Sequence, residues 1–457
     1  MSVISGIGLT SGIDYNKLIS SLIELQRQPV YRLQSRQSDY NNKISAYSTL
    51  SSKLSSFQSA ADNLRNTANF YAKTASVSNS TVLDAATSNS ASSGIYTIDP
   101  HSVAGKIQLA AVDRRTGTTS FTSTTDVVNN TGASQTFEYT YAGTTSTLTI
   151  ADQTTLEGLR DAINNDTGNP GVTATVINVG TSDYRLVLTG RNTGSSNTVA
   201  VTANTTITGF SDSDFTASTA QDAKFRIGGV DITKSSNTVS DVIPGVTLTL
   251  KAESASAVTV TVNNDTDTIR QHIEDFVNAY NEVVDNISNN SQYDTKTHTG
   301  GPLNGESTAR AIKSRLSNIV TSRVAGLPQD LRTLAQIGIS TDYHTGHLSI
   351  DSATLNDKLT TRLDDVANLF TDSTSGIGNK VYDYTDSVTN SIDGTVTIRT
   401  KGLQSNVTGI ADDITDLEAR LTLVEEDLRK RFASLEAMLT GMSSQSAFLS
   451  NLTSRMT

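Results

Sequence analysis

Cysteine and tryptophan are absent from this 457-residue chain, proline occurs six times, and aromatic residues make up 5%. Without cysteine there is no disulfide framework, no thiolate metal site and no thiol nucleophile. A cysteine-free chain of this length suits a protein that leaves the cell and must not cross-link on the way. Charge is thin as well. Charged residues make up 18%, below the roughly 25% of ordinary soluble domains, and Ser, Thr and Asn take their places. The balance of 35 Lys and Arg against 46 Asp and Glu, a net of -11, argues against nucleic acid, which needs clustered positive charge. No apolar run approaches the roughly 18 residues of a membrane span. The opening segment also lacks the basic, apolar and small-residue order of a cleavable secretory leader. The expectation is a chain without membrane anchor, nucleic-acid partner or signal peptide.

Catalytic signatures are missing too. There is no GxSxG elbow, HExxH helix, Walker loop or EF-hand loop, and histidine occurs five times. His344 and His347, in "DYHTGH", flank Gly346 in a predicted turn and read as solvated. Asp212 with Asp214, Asp364 with Asp365, and Asp412 with Asp413 lack the converging oxygens and turn glycine of a calcium loop. The "NTGSSN" and "NNTGAS" segments read as turns. No enzyme, cofactor or metal is expected.

What is present is periodicity. Ser11 and Asp14 have capping-box spacing, Leu18, Leu22 and Leu25 follow at helical steps, and Pro29 should end that helix at or before Gln28. A second series runs through Leu33, Tyr40, Ile44, Tyr47, Leu54, Phe57, Ala61, Leu64 and Ala68, with Ser51 filling one slot; either a globular core or a coiled-coil seam would produce it. From about Ala75 to Asn263 short β-branched runs separated by Gly, Asn, Asp and Ser predict a β-rich insertion, interrupted by a helix at "TTLEGLRDAINND". Helical spacing returns with Thr268 and Gln271 as a capping box and with Ile273, Phe276, Val277, Tyr280, Val284 and Ile287 on one face. After a polar loop, "STARAIKSRLSNIVTSRVAG" reads as a helix closed by Gly326. "IGISTDYHTGHLSID" reads as two short strands around a turn, with Asp351 or Ser352 capping the next helix.

The end of the chain is the most regular. Leu403, Val407, Ile410, Ile414, Leu417, Leu421, Val424 and Leu428 step by four and three, and a further four-step reaches Phe432. The series resumes at Leu435, Leu439, Met442, Leu449, Leu452 and Met456. Such spacing predicts a seam against other chains, with a stutter at Phe432. Both extremities are thus expected to order mainly on neighbouring molecules.

Several segments together resemble one family. "GLTSGIDYNKLISSLIELQRQPV", "GGVDITKSSNTVSDVIPGVTLTLK" with "FVNAYNEVVDNI", "GPLNGESTARAI", "LAQIGISTDYHTGHLSIDSATLNDKL" and "RKRFASLEAMLTGMSSQSAFLSNL" are similar to the bacterial flagellar filament-capping, or hook-associated protein 2, family. "TTLEGLRDAIN" followed by "GVTATVINVGTSDYRLVLTG" resembles the IN motif of flagellins. The resemblance implies a multidomain α+β fold. Residues 1–40 with 415–457 would form a coiled-coil-like leg, 41–72 with 268–414 a helix-rich mixed domain, 73–100 with 225–267 a β-rich domain, and 101–224 an outer β-rich domain.

It further implies a homo-oligomer at the extracellular filament tip that promotes insertion of exported flagellin, meets hook-filament junction proteins, and leaves the cell by the flagellar type III route. A cytoplasmic export chaperone would hold the C-terminal helix around Phe432 and Met438. Partner contacts would fall on Leu18, Leu22, Leu25, Leu421, Val424, Leu428, Phe432, Leu435, Leu439, Met442, Leu449 and Leu452. The alternative is a surface adhesin that binds host glycan or mucin through the Ser/Thr-rich β region.

Overall fold

A computed structural model describes residues 14–453, with side chains to Asn451. The architecture is multidomain α+β. It divides into two compact units, residues 14–69 with 266–453, and Phe70–Asp265. Among the described residues the helices are, in chain order, α1 (Tyr15–Gln26), α2 (Gln28–Arg65), α3 (Thr67–Phe70), α4 (Leu156–Asn165), α5 (Thr266–Ser291), α6 (Ser307–Val320), α7 (Ser352–Thr361), α8 (Leu363–Thr371), α9 (Ile377–Thr389) and α10 (Thr395–Thr453).

The first unit is organised by α2. Tyr47, Leu50, Leu54, Phe57, Ala61 and Leu64 recur at helical spacing and are all buried. The Phe57 ring lies 4.9 Å from Phe276 and 5.7 Å from Tyr280, and Phe276 lies 5.9 Å from Phe370, so α2, α5 and α8 share one aromatic core. This part of the second apolar series is therefore core within one chain. Leu50 fills the slot that the spacing gave to Ser51, and Ala68 falls beyond the end of α2 and is exposed.

Three predicted helix ends move. Ser11 lies outside the described residues, and α1 begins after Asp14, whose Oδ1 accepts from the Lys17 N–H at 3.0 Å. Asp14 is thus the cap itself, its carboxylate stabilising the positive end of the helix. Helix α5 starts at Thr266, directly after a strand that ends at Asn264, so Thr268 lies inside its first turn. Helix α6 stops at Val320, because Val324 donates to the Arg332 carbonyl and draws the chain away; Gly326 occupies a later turn at φ +77°. The polar loop after α5 holds a small hairpin, Tyr293–Asp294 with Thr299–Gly300. The strands Ile339–Thr341 and Leu348–Ile350 pair as the spacing predicts, and Asp351 caps α7.

One buried carboxylate ties three helices. Glu306, just ahead of α6, is nearly buried and accepts from Lys43 Nζ at 2.9 Å, from the Tyr47 hydroxyl at 2.9 Å, and from Arg399 Nε at 3.0 Å. Burial disfavours its charge, but the Lys43, Tyr47 and Arg399 donors outweigh that and hold its pKa below the ordinary value. Burial, then the Glu306 hydrogen bond and charge, push the Tyr47 phenol up to about 12. Removing one partner of a buried charged cluster leaves the others uncompensated.

In the second unit two cores follow one another. The first lies between a five-stranded sheet, ordered Lys73–Val77, Val258–Asn264, Gly94–Asp99, Ala223–Ile227, Val230–Lys234, and a three-stranded one, Thr238–Ile243, Val246–Leu250, Leu83–Thr87. Alternation places Val258, Val260 and Val262 inside and the intervening threonines outside. The second core joins the sheet Phe215–Ser218, Val112–Gly117, Asp183–Thr193, Val172–Gly180 to the sheet Thr144–Ile150, Gln135–Tyr141, Val199–Val201. Helix α4, capped by Thr155, inserts Leu156, Leu159 and Ile163 there.

Asparagine closes several main-chain positions that lack a strand partner. Asn164 donates to the Ala174 carbonyl and accepts from the Ala174 N–H, both at 2.8 Å; Asn169 does the same with Val172, and Asn237 with Ala110 at 2.9 and 2.7 Å. In the helical unit Asn281 serves Leu348 likewise. A primary amide offers one donor and one acceptor side by side, as a neighbouring strand would.

Two outcomes are expected. Glu306→Ala lowers the stability of the helical unit by about 3 kcal/mol. Because the folded pKa is depressed, that difference is fully present above the free glutamate value of about 4.3 and shrinks as pH falls through the folded value; urea titrations followed by circular dichroism between pH 7 and 3 measure it. Asn164→Asp points an acceptor at the Ala174 carbonyl and destabilises the β-rich unit by about 1–3 kcal/mol in thermal unfolding at neutral pH.

Candidate docking surface on the paired terminal helices

Helix α1 is almost continuous with α2. Arg27 interrupts them, its N–H donating to the Ile23 carbonyl at 2.9 Å, and Pro29 sits in the first turn of α2, where a missing N–H costs little. The Tyr31 hydroxyl bridges the junction to Glu24 Oε1 at 2.8 Å. A 12-residue helix is marginal alone, and α1 is held by α10. The rings of Tyr15 and Phe432 lie 5.0 Å apart, and Arg429 Nη1 donates to Asn16 Oδ1 at 3.1 Å. Further along, Gln37 Nε2 meets the Val407 carbonyl at 3.5 Å. Rising numbers on one side meet falling numbers on the other, so α1 and α2 run antiparallel to α10.

The predicted contact residues divide into two groups. Leu421 is buried in its own chain, as are Leu403 and Ile410, and Val424, Leu428 and Phe432 are half-buried. For this stretch that corrects the expectation of a seam mainly against other chains: 3.5-residue spacing specifies a helical partner but not which molecule supplies it. Leu18, Leu22, Leu25, Leu435, Met442 and Leu449 are 36% to 70% exposed, and Leu439 is half-buried. The Leu452 side chain lies outside the described residues.

The sequence reading passed over the residues that attach α1. Tyr15, Ile19 and Ile23, at steps of four, are buried, whereas Leu18, Leu22 and Leu25 face out. A count of both stripes would have revealed an inner and an outer apolar face on one short helix. On α10, Leu423, Met438 and Phe448 are likewise exposed by more than 60%. The antiparallel register sets Leu22 level with Leu423. The two helices thus present apolar surface that one copy leaves open, and large exposed apolar patches mark interaction sites.

Among the described residues no group of three or more acidic or histidine side chains is placed to hold a metal. His347 pairs with Asp285 at 2.8 Å, and His344 stacks on Tyr343. No described helix is long and apolar enough to cross a membrane.

Comparison with known proteins covers up to 98% of the chain. The family described as flagellar hook-associated protein 2 matches with its N-terminal part at residues 11–106 and its C-terminal part at residues 220–444, and the flagellin hook IN motif matches residues 136–192. The flagellar hook-associated protein 2 of Escherichia coli K12 is 31% identical over 98% of both chains. The B-type protein of the same name from Pseudomonas aeruginosa is 29% identical over 98% of this chain and 97% of its own. The solved D1-D2-D3 domains of the flagellar cap protein FliD from Escherichia coli align with a TM-score of 0.61 at 31% identity, covering 79% of this chain and 99% of that one.

Phe432→Ala is expected to loosen α1 from α10 at a local cost of about 2 kcal/mol, read as roughly 30-fold faster amide exchange at Ile19 and Ile23. Exchange at Tyr280, in the aromatic core of the same unit, stays unchanged.

Proposed function

The chain belongs to the flagellar hook-associated protein 2 family, and from that premise we propose that several copies cap the distal end of the bacterial flagellar filament and promote insertion of exported flagellin. The role is mechanical and templating, with no catalytic step. The observation that carries this reading is the open apolar surface of the terminal helices: Leu18, Leu22 and Leu25 outward on α1, and Leu435, Met438 and Met442 on the distal part of α10. Helical subunits with complementary stripes would cover these residues; full burial of a leucine favours the bound state by about 1.5–3 kcal/mol, and these, 36% to 70% exposed, gain a proportionate part of that. Contacts spread over many such side chains can be exchanged one at a time, which suits a cap that must move as subunits enter beneath it.

Further parts of the proposal follow from the family and the exposed surface together. The paired terminal helices serve as legs. Homo-oligomeric contacts hold the cap together, and hook-filament junction proteins receive it before the first subunit arrives. Export follows the flagellar type III route, and a cytoplasmic chaperone covers the distal part of α10 around Phe432 and Met438 until then. Nothing in the β-rich unit or in the matched relatives favours the adhesin alternative.

A chain carrying Leu22→Asp and Leu435→Asp is expected to abolish filament growth in cells lacking the native protein, while the circular dichroism and thermal unfolding of the purified variant stay native-like. Filaments of normal length from that variant would overturn the assignment of the contact surface.

A further inference from the structure

The strand Val172–Gly180 is an edge of its four-stranded sheet, and only its first half is closed. The main-chain groups of Val172 and Ala174 that face away from the sheet are taken by Asn169 and Asn164. Outward-facing residues in an antiparallel strand recur every second position, so Val176 and Asn178 face the same way. The opposite strand agrees: Tyr184, registered against Asn178, exchanges both of its main-chain hydrogen bonds with Phe121 on its other side, at 2.9 and 2.7 Å. The N–H and C=O of Val176 and Asn178 therefore point out of the sheet, and nothing among the described residues pairs with them.

Natural sheet edges are usually blunted by lysine, proline, a bulge or a covering element. From Val172 to Gly180 there is no charge and no proline, and the register irregularity comes after Asn178. Ile177 and Val179, on one face, are 39% and 49% exposed.

We propose that this half-strand pairs with the same half-strand of a second copy of the chain, antiparallel about Ile177. That arrangement is self-complementary. With Ile177 opposite Ile177, Val176 falls opposite Asn178, so outward groups meet outward groups and four main-chain hydrogen bonds form. Ile177 occupies a non-hydrogen-bonded pair, where side chains approach most closely, and Thr175 stands opposite Val179 on the same face. No like charges meet, because the strand carries none. The next step would set Gly180 opposite Ala174, which Asn164 already occupies, and so the ladder stops. An interface this short is well under the roughly 1,000 Å² of a stable dimer, so it forms transiently and a disulfide traps it. The contact is independent of the terminal helices.

The absence of cysteine makes the test direct. Ile177→Cys introduces a single thiol whose Cα in the proposed pair lies about 4.5 Å from its counterpart, within disulfide range. Val179→Cys shares the exposed face but lies four residues out of register with its own copy, roughly 14 Å away. Under mild oxidation of the full chain, Ile177→Cys is expected to form covalent dimers at least about tenfold faster than Val179→Cys. An equimolar mixture of Thr175→Cys and Val179→Cys gives the mixed dimer, and adding Asn178→Pro to Ile177→Cys removes the advantage by deleting an outward N–H. The cross-link persists when Leu22→Asp and Leu435→Asp are added. Equal rates at 177 and 179, an unaffected Asn178→Pro chain, or loss of the cross-link in the terminal-helix background would each overturn the proposal.

Discussion

Helix α10 carries more apolar face than one copy of the chain covers. Over its 59 residues the heptad pattern is nearly unbroken, yet the environment changes along it. Near Arg399 the helix is locked by the Glu306 cluster, and at Leu403, Ile410 and Leu421 it is sealed by its own chain. Beyond the Tyr15–Phe432 contact Leu435, Met438, Met442, Phe448 and Leu449 stand in solvent. Hydrophobic burial has no direction and does not distinguish self from neighbour, so the same seam that builds the fold at one end supplies a docking surface at the other. The buried polar cluster adds what apolar contact lacks. A carboxylate with three donors fits one arrangement of α2, α6 and α10, and fixes the register from which the exposed end projects.

The second unit solves a different problem with the same composition. Few charges and many hydroxyls give strands whose outward faces are threonine and serine, and such strands risk pairing indiscriminately at their edges. Asparagine side chains that mimic a neighbouring strand close the edge at Val172 and Ala174 and leave Val176 and Asn178 open. A composition thin in charge therefore leaves the closing of this edge to amide side chains, where a more ionic protein would use edge lysines.

Much of this was legible in the sequence because the relevant signals are local. The β-rich insertion, α4, the hairpin before Asp351 and the seam of α10 follow from spacing and turn chemistry alone. Helix ends were less so: Gly326 resembles a helix stop, but the end of α6 is decided by the long-range pairing of Val324 with Arg332. The inner stripe of Tyr15, Ile19 and Ile23 was hidden by a leucine stripe of equal regularity beside it. The Glu306 cluster had no sequence signal, since Glu306 is 263 residues from Lys43, 259 from Tyr47 and 93 from Arg399, and Asn164 and Asn281, inside predicted helices, give no sign of the backbones they close. Spacing encodes that a face is apolar; which molecule covers it depends on length and register, which emerge only in three dimensions.

Backbone amide exchange along α10, compared between the purified chain and the chain bound at filament ends, tests most directly whether a shared seam joins fold to assembly. Slow exchange at Leu403 to Leu421 in both states, with protection at Leu435 to Met442 gained only on filament ends, is the predicted pattern. Equal protection of Leu435 to Met442 in the two states would contradict it.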